Sequence, residues 1–504
     1  MTRATLVATL TTVPSSTGVE LSNLQDRVDW LEVRADIVGD LAAEWIHNYF
    51  KGKLLYSLRS RSHGGTFGGS LTERLDRLAK AARSYDLVEI EDGDLSVDSW
   101  LTAIPADKRV IAWHGDANSN LEARFNKLAT VPARFYRLVG AAKTIRDELA
   151  PLVLLKSLGR SDLSAYSEGP LGFWTRLVAA HLGAPIVFGA VSANPNSTVQ
   201  PPITKLIDDY GLPLLGSVTR IYGIVGDKVG QSLSPRLHNA AYRAADCPAL
   251  FVPFQADSFS EFWREAISTR LCDDLGFPIA GLTVTSPHKE AATLVAQNLS
   301  PIVRLSDGAN VLLRDNGYWK AETTDTEVVS LINREANESV RHKRAAVLGC
   351  GGAGRAVAAA LIRSGIGVTL VNRTKERGQR ASRLLDLPFV LLKDFNSEGY
   401  DLVVNATPVG RDDGDIPFDV DRLNSDATVV DLVYGSKPTP LVTNSIGRVR
   451  QVIDGREVLL TQVRRQFELM TGQEMPRNVA CENLVNPQSN SQPLPVSHRN
   501  AHQG

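Results

Sequence analysis

Through the first 215 residues, short apolar-rich runs alternate with longer segments of helical periodicity. The runs are TLVATLTT, DWLEVRAD, KLLYSLRS, DLVEIE, RVIAWHG, RFYRLVG, DLSAYS and PIVFGAV. Between most of them lie stretches such as LTERLDRLAKAARS, whose apolar positions recur at the spacing of one helix face. Eight strands separated by helices predict a closed parallel (β/α)8 barrel rather than an open sheet. Chemistry in such barrels gathers at the C-terminal ends of the strands. Those ends carry Arg34, Arg59, Glu91, His114, Arg137 and Ser167, a polar set that packing alone does not require.

After YGLPLLGSVTR the pattern restarts with IYGIVGD, which places a domain boundary near residue 217. Mixed strands and helices then run to about residue 335, and RAAVLG opens a nucleotide-fold unit. The expectation is α/β throughout: a barrel over 1–217, an α/β substrate domain over 218–335, and a Rossmann-type domain over 336–453. Helices over 454–485 return to the substrate domain, and the polar Pro/Ser/Asn-rich tail, 486–504, reads as disordered.

Charge adds an exclusion. With a formal net charge of -1 over 504 residues, there is no electrostatic reason to expect nucleic acid or an anionic membrane as partner, so small molecules are expected. Cys247, Cys272, Cys350 and Cys481 form no C-x-x-C pair, which points away from a metal site or disulfide framework and fits a reducing cytoplasm. The start, MTRATLVATLTTVPSS, reads as a first strand rather than a secretory signal, because threonines break the apolar run and no A-x-A site follows. No run of apolar residues is long enough for a membrane span.

The most specific local signal is VLGCGGAGRAVAAALIRSGIGVTLVNRT. Gly349, Gly351 and Gly354 stand in G-x-G-x-x-G spacing after a strand and at the start of an Ala-rich helix, with Gly352 between them. Such glycines let the backbone approach a pyrophosphate, which the helix N-terminus stabilises. At the end of the next strand, where NAD-binding folds carry an acidic residue, the chain has Asn372, Arg373 and Thr374, with Arg377 one turn on. Two guanidiniums can pair with a 2'-phosphate, so NADP is preferred over NAD.

In GQSLSPRLHNAAYRAA, Ser234 is expected as an N-cap and Pro235 as the first helical residue, with Ser232 just ahead. Two hydroxyls at a helix N-terminus can hold a carboxylate, although a plain capped helix reads the same way. In TVTSPHKEAA, Ser286 is expected to cap a helix whose first turn holds Lys289, where the dipole and burial would lower the ammonium's pKa toward acid/base work. Asp325, in ETTDTEVVSLI, also falls at a helix start and can orient that ammonium.

Taken together, S-x-S-P-x-x-H-N, S-P-H-K-E, A-N-V-L-L-R, T-T-D, G-x-G-G-A-G, N-R-T-x-x-R, N-A-T-P-V-G and Q-x-x-x-Q-F resemble the shikimate dehydrogenases over residues 220–485. The resemblance implies reversible reduction of 3-dehydroshikimate to shikimate with NADPH. It implies that Ser232 and Ser234 hold the substrate carboxylate and that Thr285, Asn310, Tyr434 and Gln462 bind its ring hydroxyls. Lys289 and Asp325 would be the proton-transfer pair, with Leu432 and Gly455 against the nicotinamide and Asn405 in the loop beside the cofactor. The chain departs from the family's usual G-A-V-N-T, V-P-x-K-E and G-x-N-T-D with DGANV, SPHKE and AETTD. An NAD-linked quinate/shikimate dehydrogenase is disfavoured by Arg373 and Arg377, and a metabolite sensor would not need the Lys289 and Asp325 pair.

A barrel ahead of such a dehydrogenase resembles the bifunctional type I 3-dehydroquinate dehydratase/shikimate dehydrogenases. LEVRAD, SLRS, WHG, GFWTRL and FGAVSANPNSTVQPP carry the resemblance. It implies substrate contacts at Thr9, Glu32, Arg34, Arg59, Arg176 and Gln200 and a general acid/base at His114. In that family a lysine on the sixth strand forms an imine with the substrate, which the resemblance implies is 3-dehydroquinate, and this chain has Arg137 at that place. A guanidinium cannot become a free amine in a protein, so it cannot form the imine. His63 replaces the carboxylate of the family's E-G-G, while Lys143, in the loop after the strand, and Lys156, in the next helix, are expected to point away from the barrel. The expectation is therefore an NADP-dependent shikimate dehydrogenase fused to a barrel that binds acids without turning them over, with a fully bifunctional enzyme as the alternative.

Overall fold

A computed structural model describes residues 2–96, 98–191, 200–334, 343–435, 437–476 and 479. The expected tail, 486–504, lies outside the described residues, as does Cys481. The chain divides into two compact units, Met1–Leu282 and Thr283–Gly504. New strands do begin where the sequence pattern restarts, at Arg220 and Arg344.

In the first unit all eight expected strands form: β1 Thr5–Leu10, β2 Trp30–Arg34, β3 Lys53–Ser57, β4 Leu87–Glu91, β5 Arg109–Asp116, β6 Phe135–Ala141, β7 Leu163–Glu168 and β8 Ile186–Ala190. They pair in parallel in the order β7-β6-β5-β4-β3-β2-β1-β8. The strands are buried almost throughout, as expected of a parallel sheet covered on both faces. Among the described residues no backbone ladder joins β7 to β8. Side chains close the seam instead. The Ser164 hydroxyl accepts from Ile186 N–H at 3.2 Å and lies 3.3 Å from its carbonyl, and Arg176 donates to the Phe188 carbonyl at 2.6 Å. Buried backbone groups that a ladder leaves open need such partners.

Two of the expected barrel positions differ. Arg137 is the third residue of β6 and sits within the barrel, not at its rim. Ser167 alternates to the outer face, where its hydroxyl donates to the Glu148 carbonyl of helix Ile145–Leu158.

The rest of this unit holds a parallel pair, Arg220–Gly226 with Ala249–Gln255, bridged by helix Ser234–Ala244. Here the sequence reading needs correction: Ser234 is the first helical residue, not the cap, and its own N–H donates to Ser232 Oγ at 3.2 Å. Ser232 is thus the serine that serves the helix start.

In the second unit, six parallel strands run in the order Phe389–Leu391, Gly367–Asn372, Arg344–Leu348, Leu402–Asn405, Thr428–Asp431, Gln451–Ile453. This is the doubly wound nucleotide-binding arrangement, with its core between the sheet and the helix Gly352–Arg363. A hairpin, Val311–Asp315 with Tyr318–Glu322, turns at Asn316-Gly317, both at positive φ as a tight hairpin turn requires. The helix Gly455–Thr471 ends at Gly472 in the left-handed region, and most of the expected helical segment beyond residue 476 lies outside the described residues. Among the described residues no helix is long and apolar enough to cross a membrane.

Candidate functional site

The hairpin positions the first group of side chains. Its register, Val311 opposite Glu322, sets Asn310 beside the segment Thr323–Asp325. Asn310 closes that juxtaposition: its Oδ1 accepts from Thr324 N–H at 2.7 Å and its Nδ2 donates to Thr324 Oγ1 at 3.0 Å and Asp325 Oδ1 at 3.2 Å. Asp325 begins the 3-10 turn Asp325–Glu327, where a carboxylate is favoured by the exposed N–H groups. Lys289 Nζ lies 2.9 Å from Oδ1 and 2.6 Å from Oδ2. From the helix Gly455–Thr471, Gln462 donates to the same Oδ1 at 3.1 Å, and Gln466, one turn on, donates to Thr324 Oγ1 at 3.0 Å. The carboxylate is therefore oriented by two amides and buried, while the Lys289 side chain is 16 % exposed.

The helix expected to start at Ser286 does not. Residues 286–290 form turns, and the helix is Ala291–Val295 with Glu290 before it. The competing interaction is tertiary: the Lys289 carbonyl accepts from Ala309 N–H at 2.9 Å instead of from the next helical turn. With no helix start at Lys289, the expected helix dipole is absent from its position. Geometry carries the pair instead. Thr285 is half-buried beside it, its carbonyl accepting from His288 N–H at 3.0 Å.

The glycine loop forms a cradle. Gly349 has φ 100°, and a Cβ there would stand 2.7 Å from the Ala406 carbonyl oxygen; one on Gly354 would stand 1.8 Å from the Gly349 oxygen. Gly351 is open but for the Arg377 guanidinium 3.5 Å from its Cβ position, leaving backbone accessible at the start of helix Gly352–Arg363. A Cβ on Gly352 would meet the Lys289 Cβ at 2.8 Å and its Cδ at 3.3 Å, so the stem of the lysine side chain abuts this loop. Asn372 ties the loop to the next strand end, accepting from Cys350 N–H at 3.2 Å and donating to the Thr374 carbonyl at 2.8 Å. Arg373 and Arg377 are exposed. Asn405 is fully buried and works as a brace, donating to Asp431 at 2.9 Å and accepting from Thr407. Gly455 must lack a Cβ, which would lie 2.1 Å from the Val433 carbonyl oxygen; Leu432 and Tyr434 flank that residue, both half-buried.

The barrel gathers a second cluster. Arg137 is buried, with Nη1 donating to Glu32 at 2.9 Å and Glu89 at 2.8 Å, and Nε and Nη2 meeting the Tyr166 hydroxyl at 3.3 and 3.2 Å. Its guanidinium stacks 3.6 Å from the centre of the Phe188 ring. Glu32 also accepts from Thr9 at 2.6 Å and Ser57 at 2.9 Å, with Arg59 at 3.9 Å. Burial alone would raise the Glu32 carboxyl, but Arg137, then Arg59 and the Thr9 hydrogen bond, outweigh it and hold it at about 2. Arg34 pairs with Asp36 through two bonds of 2.8 Å. Both ring nitrogens of His114 are buried without a hydrogen-bond partner; burial first, then Arg59, Arg137, His63 and Arg34, keeps its pKa well below 6.5, so the ring is neutral at pH 7. His63 bonds Asp92 at 3.0 Å and stands edge-on to His114 at 6.0 Å. Arg176 reaches in at the β7–β8 seam over the Tyr166 ring. Gln200 is half-buried next to residues outside the description. Lys143 pairs with Asp116 on the surface, Lys156 is exposed, and no lysine among the described residues is buried.

Several participants escaped the sequence reading: Glu89, Tyr166 and Phe188 in the barrel, and Glu290, Thr324, Arg355 and Gln466 in the second unit. The strand period was the available signal, since Glu89 shares a face with Glu91, and the i, i+4 spacing of Gln462 and Gln466 was another.

Comparison with known proteins finds relatives of both the barrel and the segment that follows it. A family model described as type I 3-dehydroquinase matches residues 7–212, and one described as shikimate dehydrogenase substrate binding domain matches residues 224–312. The chain is 34% identical over 266 residues to the shikimate dehydrogenase (NADP(+)) of Methanocella arvoryzae, covering 51% of this chain and 96% of that one. It is 25% identical over 457 residues to the chloroplastic bifunctional 3-dehydroquinate dehydratase/shikimate dehydrogenase of Arabidopsis thaliana, covering 84% and 74%. With the shikimate biosynthesis protein AroDE of Chlamydia pneumoniae it shares 24% identity over 446 residues, covering 88% and 90%.

Proposed function

The chain belongs to the shikimate dehydrogenase family through its C-terminal half, and from that premise we propose that it interconverts shikimate and 3-dehydroshikimate with NADP(H). The observation that carries the reading is the Lys289 and Asp325 pair, 2.6 Å apart, on a turn set directly against the glycine loop. The loop fits a dinucleotide, since side chains at Gly349 or Gly354 would collide with backbone. The cofactor, when bound, supplies the hydride acceptor or donor. In the oxidising direction the Lys289 amine takes the proton of the reacting hydroxyl as the hydride departs, and the ammonium returns it to the ketone oxygen in reduction. Asp325 keeps the amine aimed and offsets the charge that forms on it. Ser232 and Ser234 are assigned the substrate carboxylate, and Thr285, Asn310, Tyr434 and Gln462 its hydroxyls. Arg373 and Arg377 are assigned the 2'-phosphate, with Leu432, Gly455 and Asn405 near the nicotinamide end. A reducing cytoplasm suits the free thiols of Cys247, Cys272 and Cys350.

For the barrel, the reading is a binding site for dehydroquinate or a related hydroxy acid that forms no imine. Arg137 supports it, because its donors already serve Glu32, Glu89 and Tyr166 and it has no free amine to offer. Turnover by another route is the second reading, favoured by the neutral, unpartnered His114 ring in the same barrel. Purified protein assayed separately for NADP-linked shikimate oxidation and for dehydroquinate dehydration distinguishes them. Robust oxidation with absent or very slow dehydration is expected. Fast dehydration, with borohydride trapping substrate on a lysine, would overturn the barrel assignment; no oxidation would overturn the first.

A further inference from the structure

Arg355 follows Gly354 in the helix Gly352–Arg363 and is buried. Its Nε donates to the Ser306 carbonyl at 2.7 Å and its Nη2 to the Asp307 carbonyl at 2.7 Å. Its Nη1 donates to Glu290 Oε1 at 2.6 Å and to the Cys350 carbonyl at 3.2 Å. One guanidinium thus ties together the turn that carries Lys289, the loop at 306–308, and the glycine loop. The same segments touch elsewhere, since a Cβ on Gly308 would stand 3.0 Å from the Gly352 Cα.

Glu290 is shared. Its carboxylate also faces Arg377 at 4.0 Å and Arg380 at 3.8 Å, and Arg380 reaches Asp307 at 3.3 Å. Arg377 and Arg380 are neighbours on one face of the helix Lys375–Leu385 and both are exposed, while Arg355 is not. Burial alone would raise the Glu290 carboxyl, but Arg355 first, then Arg380 and Arg377, hold it below its ordinary value. The charge on Glu290 is therefore permanent near neutrality and is contested by three arginines.

We infer that Arg355 and Glu290 are positioning residues that couple the placement of Lys289 to the occupation of Arg377 by the cofactor's 2'-phosphate. The inference rests on the proposed dehydrogenase reading for its kinetic consequence. An anion at Arg377 competes with Glu290 for that guanidinium and leaves Glu290 to Arg355, which holds the Lys289 turn against the glycine loop. Glu290 in turn opposes the phosphate, so the site gives up some cofactor affinity in exchange for a fixed lysine. By linkage, the effect must be reciprocal.

The test uses full-length Glu290→Gln and Arg355→Lys proteins. Calorimetric titration with NADP+ and NAD+ reads affinity without turnover, amide hydrogen exchange reads residues 286–292 and 306–310, and steady-state kinetics separates kcat from KM. Glu290→Gln should bind NADP+ about threefold more tightly, with NAD+ unchanged, because one charge facing the phosphate is gone. Its kcat should nonetheless fall roughly 10- to 100-fold through misplacement of Lys289. In Arg355→Lys, exchange of both segments should rise about tenfold and lose its response to NADP+, with strand Arg344–Leu348 unchanged as the control for global unfolding. Affinity and kcat falling together in Glu290→Gln, or equal wild-type exchange with and without NADP+, would overturn the inference. Should Arg355→Lys fail to fold, those two results still decide. A wild-type protein that shows the NADP+-dependent protection yet oxidises no shikimate would refute the dehydrogenase reading and leave the coupling intact.

Discussion

Each unit holds a cation against acidic side chains, and the contrast lies in which cation. In the second unit, Lys289 meets Asp325 at 2.6 Å, part-exposed and beside a glycine cradle. In the barrel, Arg137 meets Glu32 and Glu89 at 2.9 and 2.8 Å, fully enclosed and stacked on Phe188. Both cations are held by carboxylates, but an ammonium can surrender a proton at accessible pH and a guanidinium cannot. The first pair is thus suited to moving a proton and the second to holding charge in place. A salt bridge seen in a structure says little about chemistry until the donor's proton affinity is considered.

The sharpest way to break this contrast is to make the two sites alike. Lys289→Arg keeps the charge and the carboxylate partner yet should lower kcat for shikimate oxidation by about 10²- to 10⁴-fold, the usual range for loss of a positioned acid/base. Lys289→Arg with more than a tenth of wild-type kcat would show that the pair only binds. The converse change, Arg137→Met, should leave shikimate oxidation in the folded protein near wild type but cost roughly 3–5 kcal/mol of stability, because Glu32 and Glu89 lose their buried partner. Urea unfolding of the first unit, followed by tryptophan emission, reads it; a loss below about 1 kcal/mol would mean that Arg59 alone suffices. Arg137→Lys should gain the ability to be trapped with dehydroquinate by borohydride, seen as a mass increase on the barrel that wild type lacks.

The contrast also explains what the sequence did and did not reveal. All eight barrel strands were readable because each is a short, almost wholly buried run bounded by turn residues, and the glycine spacing after Arg344–Leu348 has a steric cause visible in the collisions at Gly349 and Gly354. The Lys289 and Asp325 pairing was readable from motif order. What failed was local reasoning where tertiary contacts outcompete it: the Lys289 carbonyl is taken by Ala309, and Ser234 yields the helix-start role to Ser232. Arg355 was passed over because a motif that ends at its last glycine gives no reason to inspect the next residue. The partners of Arg137 were missed for a different reason: Glu89, Tyr166 and Phe188 come from three strands, and only the barrel's closure brings them to one point.

A smaller effect sharpens the picture of the cofactor side. Arg373→Ala with Arg377→Ala removes both guanidiniums assigned to the 2'-phosphate. The double variant should lose about 1–3 kcal/mol of NADP+ affinity while NAD+ affinity is nearly unchanged, since only one of the two ligands carries the paired charge. Calorimetry with both nucleotides checks it. Equal losses for the two would place the phosphate elsewhere, with Arg380 the next residue to change.

The least of the expected effects concerns another buried acid, one with no ion-pair partner among the described residues. Glu148 lies within helix Ile145–Leu158, its Oε2 accepting from Trp174 Nε1–H at 2.5 Å and its Oε1 meeting no donor among the described residues. Burial pushes its pKa well above 4.5, the reverse of Glu32, which arginines hold at about 2. The signs of their contributions are therefore opposite. Glu32 stabilises the fold above its unfolded pKa and loses that contribution as pH falls toward 2, whereas Glu148 contributes fully only below about 4.5 and loses its contribution as pH rises toward its folded value. Glu148→Gln keeps an acceptor for Trp174 but cannot ionise. Its urea midpoint should gain on wild type steadily between pH 5 and pH 8.5, with the acid limb unaltered because Glu32 and Arg137 are untouched. A difference from wild type that stays constant across that range would mean that Glu148 is already ionised in the folded barrel, and that burial without a cation is less costly there than the geometry implies.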